Sequence, residues 1–359
     1  MRHARKLLLI PLGILLAFVF IEAALRLSVD VDRVHVNTEA PSESGRWVSH
    51  PFLPYAGRAN ATYDFYNSKA NLTEHIETNS YGFRSHEFPV AKHPEDYFII
   101  CLGGSTTYGY SESNETTWCQ QLERKLSEHF PQRRIKAFNL GMDMGTSVMS
   151  LVNLALVGVH LQPDLIINYD GINDLWAIGT QNFRTDHAHI YNDLDPTKVY
   201  RGLERSLPRW MMSSYAIAYA AGAADLIFRI NDLAAVARTE RVQDPDPFKG
   251  IEATLQNFKT MRGIAHGKGA DIIFSTVQFR DGAADPLGTR LNGIFRDFFT
   301  ANGYHYVDQE RLIPDHDPSI NVDEIHFTSK GDELMAENYF RSIVEHDLIS
   351  QTDPALNTR

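Results

Sequence analysis

From residue 97 the chain alternates short apolar runs with stretches of helical periodicity, and this alternation constrains the fold more than any other feature. YFIICLGG (97–104), IKAFNLG (135–141), DLIINYDG (164–171), DIIFSTVQF (271–279) and YHYVD (304–308) read as five strands. They are short and rich in β-branched or aromatic residues, and most end in glycine or aspartate. Between the first two, TTWCQQLERKLSEHF places Trp118, Leu122 and Leu126 four apart, on one face of a helix. SVMSLVNLALVGVHL predicts a second helix, stopped by Pro163, and others are predicted around 248–266, 287–301 and 330–346. Strands alternating with helices form βαβ units, which imply a mostly parallel sheet covered on both faces. Such sheets bind ligands beyond the carboxyl ends of their strands, so the loops that follow the strands are where chemistry is to be sought.

The N-terminal segment is of a different kind. Arg2, Arg5 and Lys6 precede an unbroken apolar run from Leu7 to Ile21, which extends to Leu25 past Glu22. About 20 residues cross a hydrocarbon core. Cleavage after Ala23 or Ala24 would put Ile21 or Glu22 where a small residue is required. An uncleaved signal anchor over 7–25 is therefore expected. Its basic flank keeps residues 1–6 cytoplasmic and exports the rest to the periplasmic or extracellular face. Residues 26–95 read as a stem passing into a small β-rich lead-in, 96–350 as the main domain, and 351–359 as a tail. An excursion at 175–247 interrupts the main domain. Its apolar stretch carries Arg209, Asp225 and Arg229, so it reads as a packing or lid-forming helix and not as a second span.

Composition narrows the partners. A net charge of −11 speaks against nucleic acid, and the membrane is expected only through the anchor. Cys101 and Cys119 are too few for a disulfide framework. One bridge is open to them in an oxidising compartment, but their places in a core strand and near a helix start make two free thiols the expectation.

The strand ends carry a pattern. The first gives Gly103-Gly104-Ser105-Thr106, the second Asn139-Leu140-Gly141 running on to Met144 and Gly145, and the third Gly171-Ile172-Asn173-Asp174. Near the C-terminus Asp323 precedes His326 by three residues, and Ser329 with Asp332 resembles the start of a capped helix. Singly, each of these is a turn, a cap or a structural histidine. Together and in this order they supply what acyl transfer needs: a hydroxyl, a base near neutral pKa, an acid to orient that base, and donors for an oxyanion.

The ordered set Gly-Gly-Ser-Thr, Asn-x-Gly, Gly-x-Asn-Asp and Asp-x-x-His resembles the SGNH/GDSL hydrolase family, over roughly residues 97–347. NSYGFRSHEF upstream is similar to the lead-in of membrane-anchored bacterial members. The resemblance implies a flavodoxin-like three-layer α/β/α sandwich with a central parallel five-stranded sheet, an ester substrate, and neither metal nor other cofactor. It implies Ser105 as nucleophile, with His326 and Asp323 completing a triad. Ser105, Met144, Gly145 and Asn173 are the expected oxyanion donors. The family places Asp before the serine, where this chain has Gly104. It places its oxyanion glycine five residues after the asparagine, where this chain has Met144, with Gly145 next.

Other readings are weaker. A phosphate loop lacks its lysine and glycine spacing, and an α/β-hydrolase elbow lacks the glycine two residues after Ser105. His187 with His189 reads as a loop pair, and DHDPSINVDE lacks the central glycine of a calcium loop. An O-acyltransferase acting on a polysaccharide would use the same triad. A catalytically silent module binding glycans or partners would not need it.

Overall fold

The computed structural model describes residues 13, 15–25, 47–48, 50–67, 72–110, 113–190, 214, 216–217, 244–280, 286–314, 317 and 319–349. The chain forms two compact units, residues 1–55 with 191–241, and residues 56–190 with 242–359. In the first unit residues 15–25 are helical. There the Glu22 carboxylate accepts hydrogen bonds from Ser214 Oγ at 2.9 Å and from the Ala216 N–H at 2.8 Å. Among the described residues no helix is long and apolar enough to cross a membrane. Residues 1–12, 14 and 26–46 of the expected anchor and stem lie outside the described residues. So do residues 191–213 and 218–243 of the excursion, with Arg209, Asp225 and Arg229, and the tail from 350 onward.

The second unit opens with an antiparallel hairpin, β1 (Thr62–Asn67) and β2 (Leu72–Glu77). Five strands follow: β3 (Asp96–Gly103), β4 (Arg134–Asn139), β5 (Leu165–Tyr169), β6 (Asp271–Ser275) and β7 (Tyr306–Val307). They form one parallel sheet in the order β4-β3-β5-β6-β7. The helices are α1 (Ser105–Tyr108), α2 (Trp118–His129), α3 (Ser147–Leu156), α4 (Ile172–Ile178), α5 (Ile251–Gly267), α6 (Pro286–Ala301), α7 (Gln309–Leu312) and α8 (Ser329–Glu345). This is the α/β/α sandwich with a parallel five-stranded sheet that the resemblance implies. The chain runs from β3 out to β4 and back past β3 to β5, so strand order reverses beside β3. A crevice opens at such a switch point.

The helices cover both faces. On one, Trp118 of α2 lies against Tyr339 of α8 with centroids 5.0 Å apart, and the Tyr339 hydroxyl meets Ser275 Oγ of β6 at 2.6 Å. On the other, Phe258 of α5 and Phe299 of α6 pack on Phe274 of β6, and all three are buried. Adjacent residues of a strand face opposite sides, so Phe274 and Ser275 serve the two layers. The predicted helical stripe of Trp118, Leu122 and Leu126 is fully buried. Thr328, not Ser329, is the N-cap of α8, its hydroxyl accepting the Gly331 N–H at 3.3 Å.

The expectation of free thiols does not hold. Cys101 of β3 and Cys119 of α2 form a disulfide, with Cα atoms 6.3 Å apart and both residues fully buried. The crossover helix α2 returns over the strand that precedes it, which brings its first turn onto Cys101. Replacing both cysteines by alanine is expected to cost about 2–4 kcal/mol, mostly through the unfolded chain. Urea titration checks this, and an unchanged midpoint would contradict it.

Candidate active site

The crevice is built outward from the end of β3. Gly103 and Gly104 are required by contact, not by turn conformation alone. A Cβ at 103 would lie 2.2 Å from Thr107 Oγ1, and one at 104 would lie 2.7 Å from Asn173 Nδ2 and 2.8 Å from the Gly145 carbonyl oxygen. Gly104 therefore lets the Asn173 side chain approach the backbone beside Ser105, which accounts for glycine where the resemblance expects aspartate. Ser105 is the first residue of α1, where a backbone N–H has no acceptor within the helix.

Ser105 Oγ lies 2.8 Å from His326 Nε2. His326 Nδ1 lies 2.9 Å and 3.0 Å from the two Asp323 carboxylate oxygens. A carboxylate only accepts, so Nδ1 carries the proton and Nε2 turns its lone pair to the serine hydroxyl. Asp323 Oδ1 also accepts the N–H groups of Ile325 at 3.1 Å and His326 at 3.0 Å, so the acid is fixed by its own loop. Thr106 Oγ1 donates to the Ile325 carbonyl at 3.3 Å and ties that loop to α1. Ser105 and Asp323 are nearly buried, 5% and 8% exposed.

The loop after β4 braces this arrangement. Asn139 Nδ2 donates to the Thr107 carbonyl at 2.7 Å, and the Met142 N–H to the Gly103 carbonyl at 3.0 Å. Met144 stands in the left-handed region at φ 53° and is exposed at the rim. The turn it closes sends the Gly145 N–H back to the Met142 carbonyl at 2.9 Å, so that expected donor is already committed. The carbonyl of Gly145 serves the site instead, accepting from Asn173 Nδ2 at 2.7 Å and orienting the amide.

Sequence reasoning missed the polar layer beneath Asn173. Asp174 is fully buried, accepts the Ser147 N–H at 3.0 Å and Thr254 Oγ1 at 2.9 Å, and also meets Ser147 Oγ. The only signal in sequence was its place after Asn173. Asp170, at the end of the third strand run, is buried near it. Burial first, and the Asp174 charge second, push the Asp170 carboxyl up to about 7. His187, 3.9 Å from Asp174, is held below its usual pKa by burial. His189 is engaged with the backbone of Ala177 and Arg184, and no group of three or more His, Cys, Asp or Glu among the described residues could hold a metal ion.

A raised Asp170 pKa means that its protonated form is favoured by folding. Its stabilising share is complete below the unfolded value of about 4 and is lost as pH rises through about 7. Asp170→Asn removes that dependence. The stability of the variant relative to wild type is expected to rise by about 1–3 kcal/mol between pH 5 and pH 8. Thermal melts at the two pH values check it, and a constant difference would contradict it.

The family model for the GDSL-like lipase/acylhydrolase family matches residues 101–334, a span that holds Ser105, Asn173, Asp323 and His326. Among solved structures, the chain is similar to the lipase/acylhydrolase from Enterococcus faecalis at 14% identity and a TM-score of 0.44, covering 70% of this chain and 96% of that one. It is also similar to Axe2, an acetylxylan esterase from Geobacillus stearothermophilus, at 13% identity and a TM-score of 0.44, covering 69% of this chain and 94% of that one. No curated protein matches the chain.

Proposed function

This chain belongs to the GDSL-like lipase/acylhydrolase family and is a hydrolase acting on ester bonds, and on that premise we propose that it is a serine esterase working through Ser105, His326 and Asp323. The observation that carries this reading is the unbroken line of hydrogen bonds from Ser105 Oγ through His326 to Asp323 at the carboxyl end of β3. Ser105 Oγ attacks the ester carbonyl as His326 Nε2 takes its proton, and Asp323 holds the imidazolium that forms. The Ser105 N–H and the Asn173 amide receive the oxyanion, each donor contributing about a hundred- to thousand-fold in rate. Collapse breaks the bond to the alcohol, which leaves with the proton from His326. Water, deprotonated by the same histidine, then releases the acyl group from Ser105.

The domain acts outside the cytoplasm, tethered by residues 7–25. The basic flank and apolar run support this, and so does a disulfide, a bond that persists in oxidising compartments. Its substrate is an O-acylated cell-envelope glycan or a small ester. The test is turnover of p-nitrophenyl acetate and longer-chain esters by the full chain in detergent, with and without a sugar acceptor. Release into water that depends on Ser105 supports the esterase. Turnover only with the acceptor would move the assignment to an O-acyltransferase. Acyl release that survives Ser105→Ala would overturn the serine mechanism.

A further inference from the structure

Tyr110 and Asp143 take no part in the steps above, yet Tyr110 stands against the catalytic histidine and Asp143 stands against Tyr110. The Tyr110 ring stacks on the His326 imidazole with centroids 4.2 Å apart and planes inclined by 36°. Its hydroxyl donates to Asp143 Oδ1 at 3.2 Å. Tyr110 comes from the loop after α1 and Asp143 from the loop after β4, so the loops of two strand ends meet at the Tyr110 hydroxyl. Both residues are half-buried, and Met144 beside them is exposed, so this corner lies at the rim of the site.

The chemistry decides which half of an ester meets this corner. His326 Nε2 must hand its proton to the leaving oxygen, so that oxygen has to come within hydrogen-bond reach of Nε2. The group attached to that oxygen then lies beside the imidazole and whatever stacks on it. The acyl group is bonded to the carbonyl carbon attacked by Ser105 and runs away from that oxygen. The alcohol half is therefore the one that meets Tyr110 and Asp143.

We propose that Tyr110 and Asp143 form the subsite for the alcohol half of the ester, and that they select an alcohol bearing free hydroxyl groups, the chemistry of a sugar or another polyol. The proposal rests on the serine-esterase reading above. A carboxylate takes hydroxyl donors in short, strong hydrogen bonds, and it has capacity for more than one. A tyrosine ring offers an apolar face to the C–H surface of a sugar. A bare alkyl alcohol laid over Asp143 strips water from the carboxylate and returns no hydroxyl in exchange, which is how polar sites reject analogues that lack a hydroxyl. An alcohol carrying phosphate or carboxylate meets the Asp143 charge and is repelled.

The experiment uses the full chain in detergent and two esters with the same acyl group, methyl 6-O-acetylglucoside and butyl acetate, with acetate release as the readout. Wild type is expected to favour the glycoside at least about tenfold in kcat/KM, the scale of a hydrogen bond to a charged acceptor. Asp143→Ala is expected to bring the two substrates close to parity, mainly by raising KM for the glycoside. Tyr110→Phe keeps the ring but removes the hydroxyl that donates to Asp143, and is expected to reduce the preference in the same direction. No preference in wild type, turnover of neither ester, or an equal loss on both substrates in Asp143→Ala overturns the proposal. If an equal loss is seen while Ser105→Ala still abolishes turnover, the subsite falls and the esterase stands. Turnover that persists in Ser105→Ala overturns both.

Discussion

Ser105→Ala is expected to lower kcat/KM for ester hydrolysis by about 10⁴- to 10⁶-fold and to leave the melting temperature essentially unchanged. The substitution removes one oxygen, whose hydrogen bond runs to His326 at 2.8 Å, from a residue in a loop-end helix and not in the core packing. No cavity of consequence is left, so stability has no reason to fall. His326→Ala is expected to match Ser105→Ala, because nucleophile and base act as a unit and their losses are not additive. Asp323→Ala is expected to cost less, since the histidine keeps its place against the serine although its tautomer is no longer enforced. It should cost some stability as well, because Asp323 Oδ1 also holds the Ile325 and His326 N–H groups. Steady-state kinetics on p-nitrophenyl acetate, beside circular dichroism melts, checks the series. An Asp323 variant more damaged in rate than the His326 variant would contradict the roles assigned to them.

Arg84→Met is expected to destabilise the protein by about 3–5 kcal/mol. The Arg84 side chain is fully buried, and burial holds its pKa below the usual arginine value. Its Nη1 donates to the Gly109 carbonyl at 2.7 Å and its Nε to Asn114 Oδ1 at 2.9 Å, with the nearly buried Glu74 carboxylate 3.7 Å away. Losing the cation leaves Glu74 inside the protein without it, and releases the carbonyl of Gly109, the C-cap residue of α1. Because α1 begins with Ser105, activity should fall with stability. The double variant Arg84→Met/Glu74→Gln removes the buried carboxylate charge as well and is expected to recover part of the loss. Urea titration of the single and double variants checks this. A loss below about 1 kcal/mol in the single variant would contradict the account.

What could be read in the sequence was whatever depends on local period. The helical spacing of Trp118, Leu122 and Leu126 predicted α2, and the apolar runs from residue 97 onward predicted the strands of the parallel sheet to within a few residues at their starts. Several apolar runs extend past the carboxyl ends of their strands into the loops that form the crevice; β6 ends at Ser275, whereas the run continues to Phe279. The proximity of Ser105, His326 and Asn173 was legible because each follows a strand of one parallel sheet or lies near the last helix. What was hidden depends on how separate elements meet. The Cys101–Cys119 bond follows from where the crossover helix lands. The Gly145 N–H is lost to Met142 because residue 144 adopts a left-handed conformation. Nothing in NSYGFRSHEF marks Arg84 as buried, and only the fold brings it to the end of α1.

The central claim is that Ser105 is a nucleophile activated by His326, and a fluorophosphonate ester tests it most directly. The serine oxygen forms a bond to phosphorus, fluoride leaves, and the adduct stays on the protein for peptide mass spectrometry. A single adduct on the peptide containing Ser105, absent from Ser105→Ala and strongly slowed in His326→Ala, is the predicted result. An unlabelled Ser105 peptide in active protein, or an adduct on a different serine that tracks the loss of activity, would contradict it.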